Sequence, residues 1–113
     1  MTDKIVVFST CASQEEAEKL ARLVVEQGLA ACASIVPNVR SYYRWQGAVE
    51  TAGEHLLIIK SSRPQFAALS AALERTHSYE VPEVLAVPVV EGSAAYLTWL
   101  EASLGAGKED ASL

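Results

Sequence analysis

Apolar positions along this chain follow two spacings. Ile5 to Ser9 is a short β-branched and aromatic run, which reads as a strand. Beyond it, Ala17, Leu20, Ala21 and Val24 recur at the spacing of one helical face, and Ser13 with Glu16 forms the reciprocal capping pattern S-x-x-E. Gly28, which tolerates φ > 0, ends that helix. Ala30 to Val36 is extended again, Pro37-Asn38 interrupts it, and Val39 to Trp45 resumes. Gln46-Gly47 is a turn into Val49 to Ser61, whose LLII is the most apolar run of the chain. Two extended segments about so short a Gly-containing turn predict a β-hairpin. Pro64 suits a first helical position, and Phe66, Leu69 and Leu73 give the stripe of a second helix ending near Thr76. His77 to Glu83 (HSYEVPE) reads as a loop and Val84 to Val90 as a fourth strand closed by Glu91-Gly92. Ser93 caps a third helix reaching Leu104, with Tyr96, Leu97 and Leu100 on its apolar side. One domain over 1–104 is expected, with a disordered tail over 105–113, where glycine and charge offer little to bury.

The order β-α-β-β-α-β plus one helix predicts an α+β, ferredoxin-like sandwich with strand order 4-1-3-2. Pro37 and Pro88 then fall in the two edge strands, where a missing N–H breaks no ladder, and the central strands hold no proline. In this plan both main helices cover one face of the sheet. The runs IVVF, ASIV, LLII and VLAVPVV do not alternate apolar with polar, so the other face is apolar too. The third helix is too short to cover it. Self-association into a closed homo-oligomer is therefore expected.

Composition narrows the partners. In 113 residues, 9 basic against 14 acidic side chains give a net charge of −5, which disfavours nucleic acid and anionic membranes. No stretch approaches ~18 consecutive apolar residues, and no export signal is apparent. Cys11 and Cys32 form no CxxC, so reduced thiols and a cytoplasmic location are expected.

Several residues are candidates for chemistry. Cys11, at the first strand–helix junction, is one thiol where a soft two-coordinate metal site needs two; it is either a ligand or a small buried hydrophobe. Cys32 reads as the latter. His77 lies within six residues of Tyr79, Glu80 and Glu83. Imidazole and carboxylates there either hold a divalent metal or form a structured turn, and the spacing matches no zinc pattern. His55, beside Glu54, reads as solvated or interfacial. Lys60 shares a strand face with Glu50 and Glu54, which makes it the anion-binding corner of a cleft or part of an ion pair at a subunit contact. Tyr42, Tyr43 and Trp45 cluster near the hairpin tip, where a neighbouring subunit is their expected partner. No phosphate-binding loop and no Ser/His/Asp arrangement is present.

The stretch AEKLARLVVEQGLAACASIVPNVRSYYRWQGAVE, followed by EHLLIIKS, HSYEVPE and YLTWL, resembles the CutA divalent-cation-tolerance family over about residues 5–104. LAAC-x-x-I-x-P-x-V-x-S-x-Y-x-W-x-G and H-x-Y-x-V-P-E are its most specific parts. The resemblance implies a ferredoxin-like homotrimer similar in architecture to PII signalling proteins, with ligand clefts between subunits. It further implies a tie to copper and other divalent-metal tolerance with no established reaction, while the few ligands around HSYEVPE make the expected binding of copper or another divalent cation weak, with no required cofactor. Carried over residue by residue, the positions are Tyr43, Trp45, Glu50, Lys60, His77, Tyr79, Pro82 and Glu83. A ligand cleft would then use Tyr43, Trp45, Glu50, Lys60, Tyr79 and Glu83, and a metal site His77, Cys11 and Glu83. The chain departs from the family pattern at the end of its first strand, where Ser9 stands in place of a cysteine implicated in copper binding. It departs again at Thr76, where some members carry a second histidine, and at Ala12 and Ser78, where many carry proline.

Three functions follow as expectations: a trimeric binding or signalling module linked to metal tolerance, an enzyme using Lys60, Tyr79 and Glu83 in an intersubunit cleft, or a purely structural assembly partner.

Overall fold

The computed structural model describes residues 2–105. Its elements run β1 (Lys4–Cys11), α1 (Gln14–Glu26), β2 (Cys32–Trp45), β3 (Ala48–Ser62), a 3₁₀ turn (Arg63–Gln65), α2 (Phe66–Thr76), β4 (Leu85–Pro88) and α3 (Ala94–Ser103). The sheet has the order β2-β3-β1-β4 with every pair antiparallel, so the two proline-bearing strands are its edges, as expected.

Strand parity assigns the two faces. Ile5, Val7, Cys11, Leu57 and Ile59 point to one side and are buried against Ala17, Leu20 and Val24 of α1 and Leu69, Ala72 and Leu73 of α2. On the other side, Val6 and Phe8 of β1 and Leu56, Ile58 and Lys60 of β3 are half-buried, and Val36, Leu85 and Val87 are exposed. Helix α3 touches that face only at one end, where Tyr96 Oη lies 3.8 Å from Cys32 Sγ and Glu101 accepts from Lys4 Nζ at 2.7 Å. Leu100 is the one side chain of α3 that is fully buried; Tyr96, expected on its apolar side, is exposed. The helix is tied down at its end by Gly105, whose N–H donates to Gly28 O at 2.8 Å. Gly28 sits at φ 72°, and a Cβ there would come within 2.7 Å of Gly105 Cα. Gly105, placed by the sequence in the tail, is thus part of the packed domain, and 106–113 lie outside the described residues.

β1 runs on to Cys11, two residues past the predicted Ser9, and β3 gains one residue at each end; the departures of β4 and β2 have a visible cause. β4 is shorter than Val84–Val90, because past Pro88 only single bonds continue it, such as Val89 N–H to Lys4 O at 2.9 Å. β2 is not interrupted at Pro37-Asn38 but bulged. Val36 pairs with Leu56 and Val39 with Glu54, so three steps on β2 oppose two on β3. Asn38 absorbs the extra residue at φ 62°, in the left-handed region that asparagine tolerates better than most residues. Beyond the bulge, β2 and β3 run as a two-stranded arm to Gln46 and Gly47, both at positive φ as a tight hairpin turn requires. The arm makes the molecule long, with extents of 48 × 31 × 23 Å.

Asn38→Val should lower the unfolding free energy by about 1–2 kcal/mol, the cost of a left-handed conformation for a residue with a Cβ branch. Asn38→Gly should leave it nearly unchanged. Urea denaturation at fixed protein concentration measures both, and equal stability of the two variants would mean the bulge moves at no cost.

Candidate functional site

The bulge re-phases the arm. Before it, even-numbered Ser34 and Val36 share the second face; after it, odd-numbered Val39, Ser41, Tyr43 and Trp45 take their place opposite Glu54, Ala52, Glu50 and Ala48. The loop between α2 and β4 closes over this surface. Together they enclose a cleft of about 620 Å³ lined by Thr10, Ser41, Tyr42, Tyr43, Trp45, Glu54, Tyr79, Glu80, Val81 and Glu83.

The loop is held by hydrogen bonds that begin at α1. Ser13 Oγ accepts from Glu16 N–H at 3.1 Å, half of the predicted capping box. The other half is diverted: the Glu16 carboxylate accepts from Ser78 N–H at 2.8 Å and Ser78 Oγ at 3.0 Å. Burial pushes the Glu16 carboxyl up, but the Ser78 donors and nearby His77 outweigh it and hold the group below its ordinary 4.5. His77, with its side chain fully enclosed, accepts Tyr79 N–H on Nδ1 at 3.0 Å, while Nε2 lies 2.7 Å from Thr10 O. A carbonyl only accepts, so Nε2 carries the proton and neither nitrogen has a free lone pair. Thus anchored, Tyr79 donates its hydroxyl to Glu54 Oε2 at 2.6 Å. Burial, and then this bond to a carboxylate, raise the Tyr79 phenol above its ordinary range, so it is a neutral donor.

Of the residues predicted for a ligand cleft, Tyr43, Trp45, Tyr79 and Glu83 come together. Glu50, the cross-strand partner of Tyr43, is exposed and does not line the cleft. Lys60 is at the opposite end of β3, with Nζ 3.8 Å from Cys32 Sγ, so within one chain it is not the anion-binding corner of this cleft. An enzyme built on Lys60, Tyr79 and Glu83 would need a second copy to bring the lysine.

The predicted metal set of His77, Cys11 and Glu83 is not assembled. His77 spends both ring nitrogens on the fold. Cys11 is sealed in the helix-side core, where burial, with Glu16 nearby, pushes its thiol up to about 11 and keeps it protonated. Glu83 lines the cleft. Among the described residues no three His, Cys, Asp or Glu side chains are placed to hold a metal ion. These residues therefore do not fit a tight transition-metal site within one chain. Cys32, read as a buried hydrophobe, is half-buried beside Lys60 and Tyr96, and His55 is half-buried with an enclosed, unpartnered Nδ1 rather than solvated. Three residues that matter were not singled out as site residues: Thr10, Glu16 and Glu54. The S-x-x-E motif flags Glu16, but only as a cap.

A family model described as CutA1 divalent ion tolerance protein matches residues 5–103. The divalent-cation tolerance protein CutA of Thermus thermophilus is 43% identical over 100 residues, covering 88% of this chain and 97% of that one. The chloroplastic protein CutA of Arabidopsis thaliana is 43% identical over 99 residues, and the chain spans about half of its length, 54%. Among solved structures, CutA from Xylella fastidiosa superposes with a TM-score of 0.89 at 39% identity, covering 91% of this chain and 99% of that one. The Thermus thermophilus structure gives 0.88 at 42% identity, covering 90% and 99%.

Stability should respond to pH through Glu16. Its carboxyl is lowered on folding, so its contribution is present above the ordinary 4.5 and lost as pH falls through the lower folded value. Urea unfolding of Glu16→Gln should start from a lower stability near neutral pH and fall less on acidification than the wild type. Parallel acid limbs would show that Glu16 does not hold the loop. In the native protein Cys11 should resist iodoacetamide at neutral pH and react only in denaturant, as peptide mass spectrometry would show.

Proposed function

Because the chain belongs to the CutA1 divalent ion tolerance family, we propose that it is a binding protein without a catalytic step, assembled as a ferredoxin-like, PII-like homotrimer with its ligand clefts at subunit boundaries. The observation that supports assembly is the second face of the sheet. None of its apolar side chains is buried, although Phe8, Leu56, Ile58, Leu85 and Val87 lie there together. An exposed surface of that kind is usual at interfaces and rare on soluble monomers. The arm adds to it: a two-stranded hairpin is marginal alone in water, and Tyr42, Tyr43 and Trp45 on it are 68%, 44% and 51% exposed. A neighbouring copy that accepts the arm covers both surfaces, and closed cyclic symmetry repeats the contact.

Divalent cations enter this reading as weakly held ligands. The carboxylates Glu80 and Glu83 reach the cleft, whereas the His77 lone pair and the Cys11 thiolate are not on offer. Cu(II) should bind ahead of Zn(II), in the general order for divalent ions. The core is built without metal, so chelators should leave the assembly intact.

Light scattering should give about three times the 12.1 kDa chain mass. Ile58→Glu, on the second face, should dissociate or precipitate the protein, since a charge cannot be buried there unpaired. A stable folded monomer at micromolar concentration would sink the trimer. In calorimetric titrations Cu(II) should bind no tighter than micromolar, equally in wild type and His77→Gln and more weakly in Glu83→Gln. Nanomolar affinity that disappears in His77→Gln would show that the ring does open to a metal.

A further inference from the structure

We propose that the cleft takes an organic ammonium ion, a primary or quaternary amine on a short alkyl chain, with Glu54 as its counter-charge and the arm aromatics as its walls. This rests on reading the cleft as the ligand site and adds the chemical class of the ligand.

Glu54 carries the argument. It is 7% exposed, yet it lines the cleft, and among the described residues no Lys, Arg or His forms an ion pair with it. A buried carboxylate without a counter-charge is costly, and proteins normally pair such groups. Tyr79 satisfies Oε2 with one hydrogen bond at 2.6 Å. Oε1 accepts none among the described residues, and it is not sealed away, since the enclosed side-chain atoms without partners there are Ser9 Oγ and His55 Nδ1. The carboxylate thus faces the cleft with an acceptor unused.

The lining that this chain supplies is set against the other ligand classes. It holds Glu54, Glu80 and Glu83 and no lysine or arginine, so an anion would meet like charge from this chain. A tightly held divalent metal needs several converging donors, and no such group is present among the described residues, which leaves metals as weak competitors. The rings of Tyr43, Trp45 and Tyr79 remain, and π-faces attract cations, most strongly where water is excluded. One buried carboxylate among aromatic rings is the donor set of an alkylammonium site. The volume of about 620 Å³ is within the ordinary range for small ligands.

The test uses the intact native oligomer, with its mass checked by light scattering before each titration. Choline and n-butylammonium are titrated beside their neutral isosteres, 3,3-dimethylbutan-1-ol and 1-butanol, and beside Zn(II) and inorganic phosphate. Readouts are calorimetry and the indole N–H resonance of Trp45. The ammonium ions should bind roughly tenfold or more tightly than their isosteres, and Glu54→Gln should remove that preference, as expected when one partner of a desolvated charge pair is lost. Trp45→Leu, outside the core of the chain and checked by light scattering to keep the mass of the assembly, should weaken the ammonium ions more than the alcohols. Isosteres that bind as well as the ammonium ions, or an unchanged preference in Glu54→Gln, would overturn the assignment. Should phosphate or Zn(II) alone move the Trp45 signal, the ligand class falls and the cleft reading stands. A Trp45 signal unmoved by every probe overturns both.

Discussion

A four-stranded sheet with both long helices on one side is a half-finished sandwich. On the helix side, Val7, Leu57 and Ile59 are fully enclosed by Leu20, Val24, Leu69 and Leu73. Their neighbours one residue along, Phe8, Leu56 and Ile58, are comparably apolar and face a surface that α3 reaches only at one end. Burial contributes roughly 25 cal/mol per Å² of apolar surface, so leaving such a face wet forgoes stabilisation that a small domain can hardly spare. The arm, the short fourth strand and the position of α3 all become intelligible once that face is a place where something docks.

The same parity that creates the two faces separates the chemistry. Thr10 lines the cleft and Cys11, the next residue, is in the core, because successive side chains of a strand point to opposite sides. No rotamer change brings Cys11 into the cleft. On β2 the parity would also have split Val36 from Tyr43 and Trp45, had Asn38 not inserted one residue. A single residue in a left-handed conformation therefore decides whether the aromatic side chains face Glu54 or the opposite side of the arm.

Much of the fold was legible because its signals are local. The Ser13 cap, the Gln46-Gly47 turn and the edge positions of Pro37 and Pro88 each follow from the chemistry of one or two residues. The site was less legible, for a physical reason. Glu16 and Ser78 meet across 62 positions, Tyr79 and Glu54 across 25, and nothing in the local pattern announces either bond. Tyr43 and Trp45 stand out as hairpin aromatics and Tyr79 and Glu83 as neighbours of His77, but only the family resemblance, which carries such long-range information implicitly, groups them in one cleft. Lys60 was grouped with Glu54 on the correct face, but six residues of strand at about 3.4 Å each place it some 20 Å away. His77 was left between ligand and structural roles because only its two hydrogen bonds, invisible in HSYEVPE, decide between them.

Those bonds also explain why the histidine is where it is. A loop that must hold Tyr79 against Glu54 needs fixed points, and the backbone N–H groups of Ser78 and Tyr79 are both caught. Glu16 takes one and His77 Nδ1 the other, while Nε2 fastens the ring to the end of β1. An imidazole is suited to this because it accepts on one nitrogen and donates on the other, linking an N–H donor to a carbonyl acceptor. Had the ring been free to ligate a metal, the loop would have lost its tie to Thr10 and Tyr79 its aim at Glu54. The histidine serves the cleft by positioning, and recognition falls to the carboxylate and the aromatic rings that its bonds keep in place.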